Sequence, residues 1–116
     1  MNGDTEVSIF TYGTLQLPSV QLEKYGRLLE GRADVLPGYR LERLLIEDSE
    51  VIRLSGKSDH PIARQSGEPS DRVAGIVYTI SADELAATDA YEVEPYVRVE
   101  VDLESGRRAF AYVLAD

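Results

Sequence analysis

The chain has 116 residues, 43% hydrophobic and 28% charged, and its 12 Lys+Arg against 21 Asp+Glu give a formal net charge of −9 at pH 7. Such a surface repels phosphate backbones and anionic headgroups, which excludes nucleic acid and membrane as expected partners. The length suits one core, a single domain over residues 1–116, and the lack of cysteine removes disulfides, thiolate catalysis and sulfur-ligated metals. No secretory leader is recognisable in MNGDTEVSIF and no segment approaches the ~20 apolar residues of a membrane helix, so the expected location is cytoplasmic.

In chain order, Val7 to Tyr12 is β-branched and aromatic, predicts a strand, and runs directly into Gly13-Thr14-Leu15. Pro18-Ser19 opens a short helix through Leu22, Tyr25 and Leu28-Leu29, weakened at Gly26. Pro37-Gly38 is a turn, Tyr39 to Ile46 a second strand, and Val51 to Leu54 a continuation able to pair with it after the acidic turn 47–50. Ser55 to Asp71 is polar and rich in breakers and reads as a long loop. Val73 to Ile80 resumes as a strand whose Gly75 signals a bulge or a close backbone approach.

Ser81-Ala82-Asp83-Glu84 matches a capping box, so a helix starts there and runs to about Glu92, with Pro95 as its stop. Val97 to Leu103 alternates apolar and charged residues, Glu104 to Arg107 turns the chain, and Arg108 to Leu114 returns as the second strand of a hairpin. The sum is an α+β domain: a small mixed, largely antiparallel β-barrel or curled sheet with about two helices.

Three features carry chemistry. Leu85, Asp89 and Glu92 lie at i, i+4 and i+7, which puts two carboxylates on the stripe headed by a large apolar residue. Either Asp89 accepts backbone N–H groups of the next segment and Glu92 is solvated near Arg98, or partial burial raises a carboxylate to act as a general acid/base. Tyr12-Gly13-Thr14-Leu15 is either a plain turn with Gly13 at positive φ or a set of unpaired N–H groups aimed at a carboxylate or oxyanion. Tyr96 precedes the alternating strand, and Tyr112 lies between Phe110 and Leu114, so its ring is buried and its hydroxyl needs a partner. His60 is the single histidine, and with no cysteine it makes no zinc site. No metal site is expected.

Taken together, Phe10 to Leu15, Ala74-Gly75-Ile76-Val77-Tyr78, Asp89-Ala90-Tyr91-Glu92, Tyr96-Val97-Arg98 and Ala111-Tyr112-Val113 recur in an order that resembles the γ-glutamylcyclotransferase-like proteins. The resemblance implies a small mixed α/β barrel whose mouth holds a γ-glutamyl group. It implies a cofactor-independent cyclotransferase that converts a γ-glutamyl amine or γ-glutamyl amino acid to 5-oxoproline and free amine. It assigns Glu92 as catalytic acid/base, Tyr12, Gly13, Thr14 and Leu15 as the substrate-binding loop, and Tyr96 and Tyr112 as pocket tyrosines. The loop lacks the Asn that glutathione-linked relatives carry after Ser, and the Ser55 to Asp71 loop is a candidate cap over the leaving group. The competing class is a non-catalytic module that binds a small metabolite or a partner on the same fold.

Overall fold

The β-branched and aromatic run near the start of the chain becomes the central strand of a sheet. The computed structural model describes residues 6–45, 47–56, 59–92 and 96–114, the side chains of Leu44 and Asp59 excepted. Its elements are β1 (Glu6–Thr11), a 3-10 turn (Thr14–Gln16), α1 (Pro18–Tyr25), β2 (Gly31–Pro37), β3 (Tyr39–Leu45), α2 (Ser49–Ser55), β4 (Asp59–Gln65), β5 (Arg72–Ser81), α3 (Ala82–Tyr91), β6 (Tyr96–Asp102) and β7 (Arg108–Leu114). Five strands form one sheet in the order β2-β5-β1-β7-β6, and β3 with β4 forms a separate two-stranded ribbon. Every pairing is antiparallel except that of β1 with β7, which spans only Ile9–Phe10 against Phe110–Ala111.

Alternation along β1 sorts its side chains to two faces. Phe10 joins Leu36, Val73, Val77 and Val113 in a core that also takes Ala63 from the ribbon. Ile9 packs with Tyr78 and Ile80 on the other side, where Leu85 of α3 lies against them. A third cluster of Leu15, Val20, Val51, Leu54, Tyr91 and Tyr112 ties the 3-10 turn and the helices to the end of β7. Among the described residues, no helix is long and apolar enough to cross a membrane.

The capping box forms as the sequence predicts: the Glu84 N–H donates to Ser81 Oγ at 3.1 Å and the Ser81 N–H donates to the Glu84 carboxylate at 2.9 Å. Such a cap contributes about 1 kcal/mol. α3 ends at Tyr91 with Glu92 as its C-cap, while Pro95, the expected stop, lies outside the described residues, as does Ile46 at the end of the second predicted strand. α1 stops earlier than Leu29, at Gly26, which takes the left-handed conformation with φ 70°. The hairpin of β6 and β7 is present with Val97 facing Val113 and Val101 facing Ala109.

Four expectations are corrected. Val51 to Leu54 is helix, not strand: the Asp48 carboxylate accepts the N–H groups of Glu50 and Val51 at 2.9 and 3.2 Å and so starts α2. The partner of β3 is instead β4, which occupies the middle of the supposed Ser55 to Asp71 loop, with Leu41 opposite Ala63. Helices therefore number three among the described residues. The fold is also not a closed barrel, because no strand pairing joins the ribbon to the five-stranded sheet. β2, for which the sequence raised no expectation, pairs with β5 over its whole length.

Gly75 marks a close approach and not a bulge, since the β2–β5 register runs through it unbroken from Gly31↔Tyr78 to Pro37↔Arg72. A Cβ there would overlap the Thr11 carbonyl oxygen and come within 2.6 Å of Phe10 Cζ. Gly75→Ala is therefore expected to lower stability by about 2 kcal/mol through overpacking, read as a lower urea midpoint at unchanged m-value. A midpoint equal to that of the parent would show that β1 and β5 separate freely at this point.

Candidate active site

At the end of β1 the chain passes through Gly13 and winds into the 3-10 turn, whose carbonyls are taken up locally. Gln16 and Leu17 N–H groups donate to the Gly13 and Thr14 carbonyls, and Gln21 Nε2 donates to the Leu15 carbonyl at 2.9 Å. The first N–H groups of any helical turn have no partner within it. Among the described residues, none accepts a hydrogen bond from the N–H groups of Gly13, Thr14 or Leu15. Gly13 has φ −143°, so the alternative of a positive-φ glycine is not what the turn uses. What the turn does use is the missing side chain: a Cβ on Gly13 would lie 3.3 Å from Pro61 Cγ.

Glu92 lines the same cavity as this turn. The Thr14 and Tyr91 hydroxyls are 2.8 Å apart, which fixes the end of α3 to the turn. Glu92 is the C-cap, and its φ of −75° keeps its Cβ at the helical position while ψ 119° turns the chain that follows away from the helix. The two carboxylates predicted to share a stripe nevertheless meet different surroundings. Asp89 pairs with Arg98 at 2.8 Å and accepts the Tyr112 hydroxyl at 2.5 Å. Among the described residues it accepts no backbone N–H, and it is Asp89, not Glu92, that meets Arg98.

All seven residues singled out from the sequence, Tyr12, Gly13, Thr14, Leu15, Glu92, Tyr96 and Tyr112, line one cavity of about 350 Å³, its open mouth included. Among the described residues, Glu92 is the single acid in that lining, and there is no lysine or arginine. The sequence reading missed two walls, His60 and Pro61, because it took β4 for loop. The burial of His60, Ile62 and Ala63 along one segment is the available signal, but only Ile62 shows it as a large apolar residue.

Each tyrosine hydroxyl is already engaged by the protein. Tyr12 donates to the Tyr112 carbonyl and accepts the Ala63 N–H at 2.9 Å. Tyr96 donates to the Pro61 carbonyl at 2.7 Å. Burial pushes Tyr12, Tyr91, Tyr96 and Tyr112 well above the ordinary tyrosine value, and the neighbouring Glu92 raises each further. Glu92 itself lines the cavity and keeps part of its surface open to it, but the surrounding walls strip water from the carboxylate. Burial raises its pKa from 4.5 to about 8. The cavity thus holds a carboxylate that exchanges a proton near neutral pH, and it is also lined by the turn whose N–H groups have no acceptor among the described residues. Among the described residues, no group of three metal-ligating side chains is present.

The family model described as "Gamma-glutamyl cyclotransferase, AIG2-like" matches residues 9–116. No curated protein sequence matches the chain. Among solved structures, one named gamma-glutamyl cyclotransferase superposes with TM-score 0.74 at 17% identity over 97% of this chain and 68% of its own. A protein of Arabidopsis thaliana superposes with TM-score 0.72 at 27% identity over 96% of this chain and 72% of its own. A second Arabidopsis thaliana protein gives TM-score 0.66 at 23% identity over 95% of this chain. This chain spans 62% of the length of that protein.

Two outcomes test the site. A carboxylate whose pKa rises on folding contributes fully below about 4.5, and that contribution is lost as pH climbs to about 8. Urea unfolding across this range should show the parent losing stability relative to Glu92→Gln by at most about 1.4 kcal/mol per pH unit, then levelling. A constant difference would mean that Glu92 is solvated. Tyr12→Phe leaves the Tyr112 carbonyl and the Ala63 N–H without their shared partner, and should cost about 2 kcal/mol and speed amide exchange at Ala63.

Proposed function

The chain belongs to the AIG2-like gamma-glutamyl cyclotransferase family, and on that premise we propose that it cyclises a γ-glutamyl amine or γ-glutamyl amino acid to 5-oxoproline, with Glu92 as the acid/base. The observation that carries this reading is the raised Glu92 carboxylate in a cavity that the turn of Gly13, Thr14 and Leu15 also lines, its N–H groups without an acceptor among the described residues.

The chemistry asks for little else. A γ-glutamyl compound carries an α-ammonium group, which cannot attack until it loses a proton. The Glu92 carboxylate takes that proton, and a base of pKa about 8 is well matched to an amine. The freed nitrogen closes on the γ-carbonyl carbon and forms a five-membered ring. Its oxyanion is held by N–H groups of the Gly13–Leu15 turn, the kind of backbone donor that stabilises such a charge without a basic side chain. As the bond to the leaving nitrogen breaks, the Glu92 carboxylic acid returns its proton to that nitrogen. The second proton shed by the attacking nitrogen completes the released ammonium. Since attacker and target belong to one molecule, holding the chain folded back on itself supplies much of the acceleration. Tyr12, Tyr96 and Tyr112 serve as walls: their hydroxyls are committed to protein partners and their protons are held too tightly to exchange.

Incubation with a panel of γ-glutamyl amines and amino acids should release 5-oxoproline. Glu92→Gln should lower kcat by about 10²- to 10⁴-fold, the range of a lost general acid/base. For the parent, kcat/KM should rise with pH towards about 8 as Glu92 ionises. Thermal stabilisation by these compounds with no product from any of them would instead identify a binding module.

A further inference from the structure

Pro18 leaves the turn with a carbonyl that the backbone cannot meet. In the 3-10 turn each carbonyl takes an N–H from three residues on: the Gln16 N–H donates to the Gly13 carbonyl at 3.1 Å and the Leu17 N–H to the Thr14 carbonyl at 3.0 Å. The Leu15 carbonyl comes next, and the residue three on is Pro18, the first of α1, which has no N–H. Among the described residues no backbone N–H donates to that carbonyl. Gln21 Nε2 does so at 2.9 Å, from a residue only 3% exposed. Gln21 Oε1 accepts the Leu29 N–H at 3.0 Å, so both ends of the side-chain amide are fixed.

The effect of this contact passes beyond Leu15. A trans peptide is planar, so its C=O and N–H point opposite ways. The peptide whose carbonyl Gln21 holds also carries the Gln16 N–H, which is the donor to the Gly13 carbonyl. The Gly13 carbonyl shares its own peptide with the Thr14 N–H, one of the turn donors that has no acceptor among the described residues. Holding the first peptide therefore holds the second and with it the direction of the Thr14 N–H. The Leu15 N–H depends on a separate link, through the Thr14 carbonyl and the Leu17 N–H. Thr14 and Leu15 line the cavity, whereas Gln21 stands behind them, outside its lining.

We propose that Gln21 is a positioning residue for the reaction: through the Leu15–Gln16 peptide it sets the direction in which Thr14 offers its N–H to the substrate. The inference rests on the cyclotransferase reading and adds to it a residue that touches neither substrate nor Glu92. The role needs a donor towards Leu15 and an acceptor towards Leu29. Methionine fills nearly the same space with no donor, and glutamate donates only while it is a carboxylic acid.

With 5-oxoproline as the readout, Gln21→Met should lower kcat about tenfold with KM little changed, because a misdirected donor is felt most where charge develops. Gln21→Glu should match it above neutral pH and recover towards the parent as pH falls and the carboxylic acid again donates to the Leu15 carbonyl. Each variant is expressed as a ratio to the parent at the same pH, which cancels the titration of Glu92 that all three share. Amide exchange separates aiming from general loosening: in Gln21→Met the Gln16 N–H should exchange about tenfold faster while the Leu17 N–H keeps the parent rate. Equal acceleration of the two amides, or parental kcat in Gln21→Met, would overturn the positioning role and leave the reaction standing. No 5-oxoproline from the parent with any γ-glutamyl compound would overturn the reaction and the role together.

Discussion

The architecture turns on one hydroxyl. Beyond Ala111, β7 has lost β1 as a neighbour, because β1 ends at Thr11 and the chain swings away through Gly13. The Tyr112 carbonyl then faces an opening, and across it stands β4 with the Ala63 N–H. A direct ladder between them would close the sheet into a barrel. Instead the Tyr12 hydroxyl sits in the seam, donating to the carbonyl and accepting from the N–H. Tyr96 repeats the device one step along by donating to the Pro61 carbonyl, at a residue that has no N–H to offer a ladder. Both edges are satisfied, which a buried edge requires, yet they are held apart by the thickness of a side chain. The cavity occupies the space that this separation leaves.

The electrostatics of Glu92 follow from the same packing. The rings that wedge the seam open also crowd the carboxylate, and among the described residues no lysine or arginine lines the cavity to offset the loss of water. Asp89, one turn earlier, has the opposite fate: Arg98 and the Tyr112 hydroxyl supply it with partners at the surface. Two acids three residues apart are thus assigned different tasks by the point at which the helix ends.

Much of this was legible in the sequence where a local rule decides the outcome. The capping box at Ser81, the alternation from Val97 to Leu103 and the turn at 104–107 each specify their element without help. Tyr12, Gly13, Thr14, Leu15, Glu92, Tyr96 and Tyr112 were legible as short motifs, although spacing alone could not say which of Asp89 and Glu92 meets Arg98. What escaped depends on contacts distant in sequence. Val51-Ile52-Arg53-Leu54 suits strand or helix equally, and Asp48 decides it through two N–H groups. β4 reads as loop because His60 and Pro61 are poor strand formers and only Ile62 is a large apolar residue; its place is set by β3 and by the two tyrosine hydroxyls. An open seam in place of a barrel has no signature in periodicity at all.

The ribbon that supplies His60 and Pro61 joins the five-stranded sheet through side-chain hydroxyls and the packing of Ala63, with no strand-to-strand ladder. A ladder transmits register: a one-residue slip anywhere would flip every side chain along it. A hydroxyl bridge transmits only a distance. Both bridges end on β4 backbone, the Ala63 N–H and the Pro61 carbonyl, so the ribbon can tilt about these two points while Pro61 stays against Gly13. The wall that β4 lends the cavity hangs on two phenol hydroxyls.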